Sequence, residues 1–119
     1  MTARCLASAL LLACFVVTGR PGHVVDGDTF DAELDIWLGL VAVERVRVLG
    51  VNTPELKGST KVAGLAAKQF TADWLSHGPV EIQACRRDAF GRILGRVNRG
   101  GDYLADALLA TGHAVPFKP

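Results

Sequence analysis

The feature that most constrains the fold is the period at which apolar residues recur. Residues 30–38 alternate between apolar and polar, and after Gly39 the alternation resumes in residues 41–51. A period of two is typical of half-buried strands, so the two segments predict an antiparallel pair joined by a short loop. Pro54 ends the second strand, because proline has no N–H to donate to a sheet.

A helical period replaces this alternation in residues 60–76. Leu65, Phe70 and Trp74 recur there at the spacing of one helix face, and the His-Gly-Pro sequence at residues 77–79 is a stop signal. The segment therefore predicts a helix that packs one face against the strands.

The rest of the chain returns to strands and ends in a second helix. Residues 80–84 and 93–97 alternate again, and residues 104–110 predict a short helix. Strands on both sides of one helix predict an α+β, mainly β fold. We expect a small five-stranded barrel with one packed helix and a short C-terminal helix, which suits a chain of 119 residues.

The first residues have the pattern of an export signal. MTAR carries a positive charge and precedes CLASALLLACFVV, a charge-free run too short to span a bilayer. We predict residues 1–17 as a signal peptide or lipoprotein signal, on a secreted, periplasmic or envelope protein without a stable membrane span. The sequence LLAC resembles a lipobox, which makes Cys14 a candidate lipid anchor. The alternative is a cytoplasmic protein in which residues 15–18 form a buried first strand.

The three cysteines predict no disulfide framework. Cys5 would leave with the signal, and Cys85 would keep only Cys14 as a partner. No Cys/His spacing in the sequence suggests a zinc site.

Charge is distributed unevenly along the chain. The formal net charge is +1, but residues 86–99 contain five arginines against the single Asp88. Such a stretch is typical of a phosphate-facing surface, although a solvated arginine-rich hairpin is the simpler interpretation.

Two aspartates stand close together in VVDGDT, residues 24–29. In an extended chain Asp26 and Asp28 would face the same side, where a hard cation such as Ca²⁺ would offset their repulsion. Taken alone, this motif is better explained by a plain Asp-Gly turn.

Further polar residues complete a possible phosphodiester site. Arg47 lies on a predicted strand, Asn52, Thr53 and Glu55 bracket the following turn, and Arg92 lies on a third segment. Hydrolysis of a phosphodiester needs positive charge on the phosphoryl oxygens and a carboxylate that positions or deprotonates water. Arginine suits the first task, because its planar fork matches phosphate oxygens.

Together these segments resemble the staphylococcal-nuclease-like (thermonuclease) family over roughly residues 18–119. The matching stretches are VVDGDT, RVRVLGVNTPE, DAFGR and LADALLATGHAVPFKP, in that order. The resemblance implies an OB-type barrel over residues 18–119. It also implies a Ca²⁺-dependent endonuclease, a hydrolase that acts on DNA and RNA with little sequence preference.

The resemblance implies a role for each candidate residue. Arg47 and Arg92 would stabilise the transition state at the scissile phosphate, and Glu55 would be the base for a water that attacks phosphorus in line. The reaction would leave a 3′-phosphorylated product. The calcium ligands would be Asp28, Asn52 and the carbonyl oxygen of Thr53, with Asp26 as a supporting acid.

Asn52 departs from the family pattern, which has a calcium-binding aspartate at this position. A neutral oxygen should lower calcium affinity, because ligand charge is one of the levers that tune such sites. We expect a monomeric, active enzyme with a weakened metal site, since the other candidate residues are kept. The rivals are a non-catalytic nucleic-acid-binding OB module with a degraded metal site, and a calcium-binding structural domain.

Overall fold

The structure is a computed structural model that describes residues 14–118. A 3₁₀ turn, Gly58–Thr60, precedes the first helix. In chain order the strands and helices are β1 (Phe15–Asp26), β2 (Thr29–Trp37), β3 (Leu40–Val48), β4 (Val51–Asn52), α1 (Lys61–Leu75), β5 (Val80–Arg87), β6 (Ile93–Arg99), β7 (Asp102–Tyr103), α2 (Leu104–Ala110) and β8 (Val115–Pro116).

The five long strands close into a barrel. Antiparallel pairing runs in the order β3-β2-β1-β5-β6, and a parallel pairing of β3 with β6, Val46 opposite Ile93, closes the ring. The short strands β4 and β8 pair with each other outside the barrel. This arrangement confirms the predicted mainly β, OB-type α+β fold with a packed helix and a short C-terminal helix.

The barrel interior is filled by the alternating apolar residues. Phe30, Val46 and Ile82 are completely buried, and the helices close the core with Leu75 from α1 and Leu108 from α2. The period-two pattern therefore identified the inward faces correctly at Phe30, Ala32 and Leu34 of β2 and at Val46 and Val48 of β3, but not at Val41 and Val43, which are exposed.

The alternation fails at the tip of the β2–β3 hairpin. Ile36 and Leu38 continue the inward pattern of β2, yet they are 45% and 83% exposed. The physical reason is that the hairpin extends past the end of the barrel, so these side chains have no core beneath them.

Helix α1 is clamped against the turn between β1 and β2. The Thr71 hydroxyl donates a 2.6 Å hydrogen bond to the carbonyl of Gly27. A Cβ atom on Gly27 would lie 2.8 Å from side-chain atoms of both Ala67 and Thr53, so a glycine is needed where these segments meet. The helix thus fixes the turn that carries the two aspartates.

Strand β1 begins earlier than the predicted domain boundary. Phe15 pairs with Ala84 and Val17 with Ile82, and Val17 is buried in the core. A boundary between residues 17 and 18 would fall inside this strand, as in the alternative of a buried first strand. The remainder of the predicted signal, residues 1–13, lies outside the described residues.

The expectation of no disulfide is wrong, because Cys14 and Cys85 are joined by one. The bond ties the start of β1 to β5, the strand beside it. It also conflicts with the predicted lipid anchor, since one sulfur atom cannot carry both a disulfide and a thioether to lipid. Within residues 14–118, none of the helices has the length and apolar character needed to cross a membrane.

Replacing Cys85 should measure how much this cross-link stabilises the barrel. The bond joins residues 71 positions apart. Opening a loop of that length frees the unfolded chain, so Cys85→Ser should lower the free energy of unfolding by about 2–4 kcal/mol. Urea unfolding in oxidising buffer measures the difference, and a reducing agent should abolish it. Equal stabilities in oxidising buffer would contradict the cross-link.

Candidate active site

The aspartate motif forms the tight turn between β1 and β2. Asp26 pairs with Thr29 across the turn, and the Asp28 N–H donates to Asp26 Oδ1 at 3.1 Å. The Asp-Gly turn interpretation is therefore correct for the backbone. The same turn also brings two carboxylates together, one half-buried and one, Asp28, only 5% exposed.

Asp28 links three segments of the chain. Its Oδ2 accepts hydrogen bonds from the N–H of Thr53 at 2.9 Å and from the Thr53 hydroxyl at 3.1 Å. Its Oδ1 accepts from the Thr29 hydroxyl at 2.9 Å, and the guanidinium of Arg47 lies 3.5 Å from Oδ2. The structure thus places Asp28, Thr53 and Arg47 in one cluster.

Arg47 is held rigidly although it is a long charged side chain. It is 8% exposed, and its Nη1 donates to the carbonyls of Val48 at 2.8 Å and Val51 at 2.7 Å. Its Nη2 donates to Asn52 Oδ1 at 3.2 Å. The Phe117 ring lies 5.6 Å from the guanidinium. The bend between β3 and β4 therefore wraps around this arginine and sets its direction.

The two aspartates differ in their affinity for protons. Burial, and then the neighbouring Asp28, raise the pKa of Asp26 to about 6. Burial alone would also raise the pKa of Asp28, but hydrogen bonds from Asp26 and Thr53 and the charge of Arg47 outweigh it and lower that pKa. At neutral pH the turn therefore carries an ionised Asp28 beside Asp26, whose negative charge is disfavoured by burial and by its neighbour.

The candidate ligand oxygens are of the kind that bind a hard cation. They are carboxylate, amide and carbonyl oxygens from Asp26, Asp28, Asn52 and Thr53, the atom types that Ca²⁺ prefers. A cation would relieve the repulsion that raises the pKa of Asp26. Among residues 14–118, no three Asp, Glu, His or Cys side chains gather into a metal-binding group. An ion here would depend on two carboxylates and on neutral oxygens.

Glu55 is fixed through its backbone and free at its side chain. Its carbonyl accepts a 2.8 Å hydrogen bond from the Thr60 hydroxyl. A Cβ atom on Gly64 of α1 would lie 2.6 Å from the same carbonyl oxygen, so a glycine is required for this approach. The Glu55 side chain is exposed. Within the described residues the Glu55 side chain makes no hydrogen bond to Asp28 or Arg47.

Arg92 lies across a cleft from Arg47. Its Nε donates to Asp88 Oδ2 at 2.7 Å, and its guanidinium stands 5.2 Å from the Phe90 ring. Both arginines line a cleft of about 370 Å³. The cleft brings together the two residues predicted to contact a phosphate.

Three other residues of this cleft carry little sequence signal. In the sequence, Phe90 is part of a predicted turn, Phe117 follows an apolar stretch and Arg86 belongs to a run of charged residues. In the structure all three line the cleft. Phe90 is 84% exposed, and this exposure beside the cleft, which the sequence does not show, is what distinguishes it.

The arginine stretch is not one phosphate-facing surface. Arg86 and Arg92 line the cleft. Arg87 pairs with Glu44 at 2.8 Å, and Arg99 donates to the Trp74 carbonyl at the end of α1 at 2.9 Å. Part of the local charge is therefore structural.

Replacing Asp26 should show how the protonation of this residue changes the free energy of unfolding with pH. An acid with a raised folded-state pKa stabilises the fold below its unfolded pKa and loses that contribution as pH rises through the folded value. The free energy of unfolding of the wild type should fall relative to Asp26→Asn between about pH 4 and about pH 7, the window set by the raised pKa. The fall should be about 1 kcal/mol, since this half-exposed group is partly screened by solvent.

Urea unfolding of both proteins in EDTA at the two pH values gives the comparison. Asp102→Asn, which neutralises an exposed carboxylate, is the matched control and should show no such change. A pH-independent difference between the wild type and Asp26→Asn would contradict the linkage.

Comparison with known proteins agrees with this geometry. The model of the family described as "Staphylococcal nuclease homologue" matches residues 45–118, which include Arg47, Asn52, Thr53, Glu55 and Arg92. A thermonuclease of Staphylococcus intermedius is 36% identical over 97 residues, which cover 77% of this chain and 55% of that protein. The chain thus spans about half the length of this curated relative. The match over more than half of the chain shows that it belongs to the staphylococcal nuclease homologue family.

Proposed function

We propose that this chain is a calcium-dependent nuclease, a hydrolase of the thermonuclease type that cleaves DNA and RNA with little sequence preference. The observation that carries the proposal is the pair of arginines in the cleft. Arg47 is buried and held by three oxygen acceptors, and Arg92 lines the same 370 Å³ space. Two oriented guanidinium groups on one cleft suit a phosphodiester, whose charge grows in the transition state.

The aromatic residues of the cleft support a nucleic-acid substrate. Phe90 is 84% and Phe117 is 44% exposed, and each has an arginine near its ring. Bases stack on such rings without regard to sequence, at about 1–3 kcal/mol per base. This arrangement favours single-stranded DNA and RNA and explains a lack of sequence preference.

Glu55 is the proposed base. Its exposed carboxylate accepts a proton from the water that attacks phosphorus, while Arg47 and Arg92 hold the phosphoryl oxygens. In-line attack breaks the bond between phosphorus and the 5′-oxygen, which leaves a 3′-phosphate on one product and a 5′-hydroxyl, protonated from solvent, on the other. The Thr60 hydroxyl holds the Glu55 backbone, and the Glu55 side chain is exposed to solvent, where such a water is available.

Calcium is the proposed cofactor. Asp28, Asn52 and the Thr53 carbonyl would hold it, with Asp26 in support, and the ion would add positive charge near the scissile phosphate. Because Asn52 is neutral and already accepts a hydrogen bond from Arg47, we expect weak binding that saturates only at high calcium.

Export remains part of the proposal. Disulfides persist in oxidising compartments, so the bond between Cys14 and Cys85 supports a secreted or periplasmic protein over a cytoplasmic one. A mature protein with this bond retains Cys14, so any signal cleavage would precede that residue.

Loss of the proposed base tests the chemistry. Glu55→Gln should lower the rate of single-stranded DNA cleavage by about 100- to 10,000-fold, because the amide cannot take a proton from water. Cleavage is measured with purified protein across a calcium titration, with EDTA as a further control. Glu33→Gln, an equivalent change on the exposed face of β2, should leave the rate unchanged.

The same titration distinguishes the principal rival. A non-catalytic nucleic-acid-binding module is favoured by the neutral Asn52 and by the arginine-rich stretch of residues 86–99. Folded wild-type protein that binds oligonucleotide but gives no turnover at any calcium concentration would establish that rival. Calcium binding without affinity for oligonucleotide would instead indicate a structural calcium domain.

Restoring a charge at residue 52 should strengthen the metal site. Asn52→Asp should lower the calcium concentration for half-maximal cleavage by about tenfold or more, since it adds a ligand charge. Gln69→Glu, which adds the same charge at an exposed position of α1, is the matched control. An unchanged calcium requirement in Asn52→Asp would remove residue 52 from the proposed ligands.

A further inference from the structure

Arg86 lines the cleft but has no role in the proposed reaction. Its side chain is exposed, and the cleft that it borders also contains Arg47 and Arg92. Of the described residues that line this cleft, Asp88 alone is acidic, and its carboxylate is engaged by Arg92 at 2.7 Å. The cleft therefore carries a net positive charge to which Arg86 contributes.

The neighbouring arginines of the β5–β6 hairpin have partners inside the protein. Arg87 pairs with Glu44 at 2.8 Å, and Arg92 pairs with Asp88. Among residues 14–118, the Arg86 side chain forms neither an ion pair nor a hydrogen bond. A guanidinium has five N–H donors, so the Arg86 side chain can bind an anion from outside the protein without giving up an internal contact.

A β-bulge turns Arg86 towards the cleft. On β5, Ile82 is buried in the core and Ala84 packs against it, so unbroken alternation would turn residue 86 inwards as well. The pairing with β6 shifts between Ala84 and Arg86, which leaves Cys85 as the extra residue. A bulge re-aims the side chains that follow it. Arg86 consequently lines the cleft and not the core.

The disulfide holds this bulge in place. Cys85, the extra residue, is bonded to Cys14 just before β1. The extra residue of a bulge is left unpaired in the ladder, so backbone hydrogen bonds alone do not fix its position. The covalent bond to Cys14 supplies this restraint directly before Arg86.

The sheet places Arg86 in the same row as Arg47. Leu94 of β6 pairs with Arg47 on one side and with Arg86 on the other, and it lines the cleft between them. Neighbouring strands lie about 4.8 Å apart, so the Cα atoms of the two arginines are about 10 Å apart. Arg47 is 8% exposed whereas Arg86 is exposed. The two arginines therefore offer separate contacts, one at the floor of the cleft and one at its rim.

We propose that Arg86 binds the phosphate next to the scissile one on the same single strand. This assignment rests on the proposed nucleic-acid substrate. Arg47 and Arg92 take the scissile phosphate, and Arg86 takes its neighbour at the rim, because the planar fork of arginine matches phosphate oxygens. A phosphate contact adds affinity without reading bases, which agrees with little sequence preference. A strand must then extend past the cleaved bond to gain this contact.

Oligonucleotide binding in EDTA tests the proposal without turnover. Fluorescence anisotropy measures the affinity of the purified full chain for labelled oligothymidylates, from a dinucleotide to a strand of about eight nucleotides. The affinity of the wild type should rise at the length that brings a phosphate to Arg86, and this rise should be absent in Arg86→Gln. For the longest strand Arg86→Gln should bind at least about tenfold more weakly, because a charged hydrogen bond is lost.

The salt dependence of binding gives a second measurement. The slope of log K against log salt should be smaller in Arg86→Gln by about 0.7, the contribution of one phosphate contact on a single strand. Arg86→Lys keeps the charge and should keep the slope. Arg45→Gln is the matched control, since Arg45 is an exposed arginine that pairs with Asp31 away from the cleft, and its affinity and slope should equal those of the wild type.

The outcomes separate this proposal from that of the nuclease. If the wild type binds the strand and Arg86→Gln binds it equally well with the same salt slope, the role of Arg86 is overturned and the nuclease proposal stands. If the wild type binds no strand in EDTA or in calcium, both are overturned. A loss of affinity in Arg86→Gln, with no cleavage by the wild type at any calcium concentration, supports the role of Arg86 in a binding module.

Discussion

The site depends on the environment of one carboxylate, that of Asp28. This group is 5% exposed, and burial at that depth would ordinarily favour its neutral form. Two hydrogen bonds from Thr53 and the nearby Arg47 charge keep it ionised. The same contacts tie the β1–β2 turn to the segment after β4, so the electrostatics of the site and the position of this turn rest on the same atoms.

Helix α1 extends this dependence to the proposed base. Thr71 holds the aspartate turn, and Gly64 and Thr60 hold the backbone of Glu55. The aspartate turn and the proposed base are thus positioned by one helix packed on the barrel, although they are far apart in sequence. Changes in the packing of α1 should therefore affect both parts of the site together.

Much of the fold could be predicted because alternation reports which strand faces meet a core. The pattern failed at Ile36 and Leu38, since periodicity does not show where a barrel ends. The Cys14–Cys85 bond was not predicted, because Cys14 lies within residues 1–17, which were predicted to be a signal peptide. The family resemblance supplied Asp28, Arg47 and Arg92 as candidates, and the structure brings them to one site. Phe90 could not be derived, because its role depends on exposure beside a cleft that only the folded chain creates.

The anchoring of Arg47 has a consequence for how its variants are interpreted. Of the five N–H groups of a guanidinium, three are used by Val48, Val51 and Asn52, and Nη2 also lies 3.5 Å from Asp28 Oδ2, so most of them are already engaged within the protein. The rotamer entropy of the side chain, about 2 kcal/mol, is lost during folding and not during binding. Truncation of Arg47 would leave buried carbonyls without donors, so a catalytic defect in such a variant would be mixed with a folding defect. The residue best placed to bind phosphate is thus also part of the scaffold.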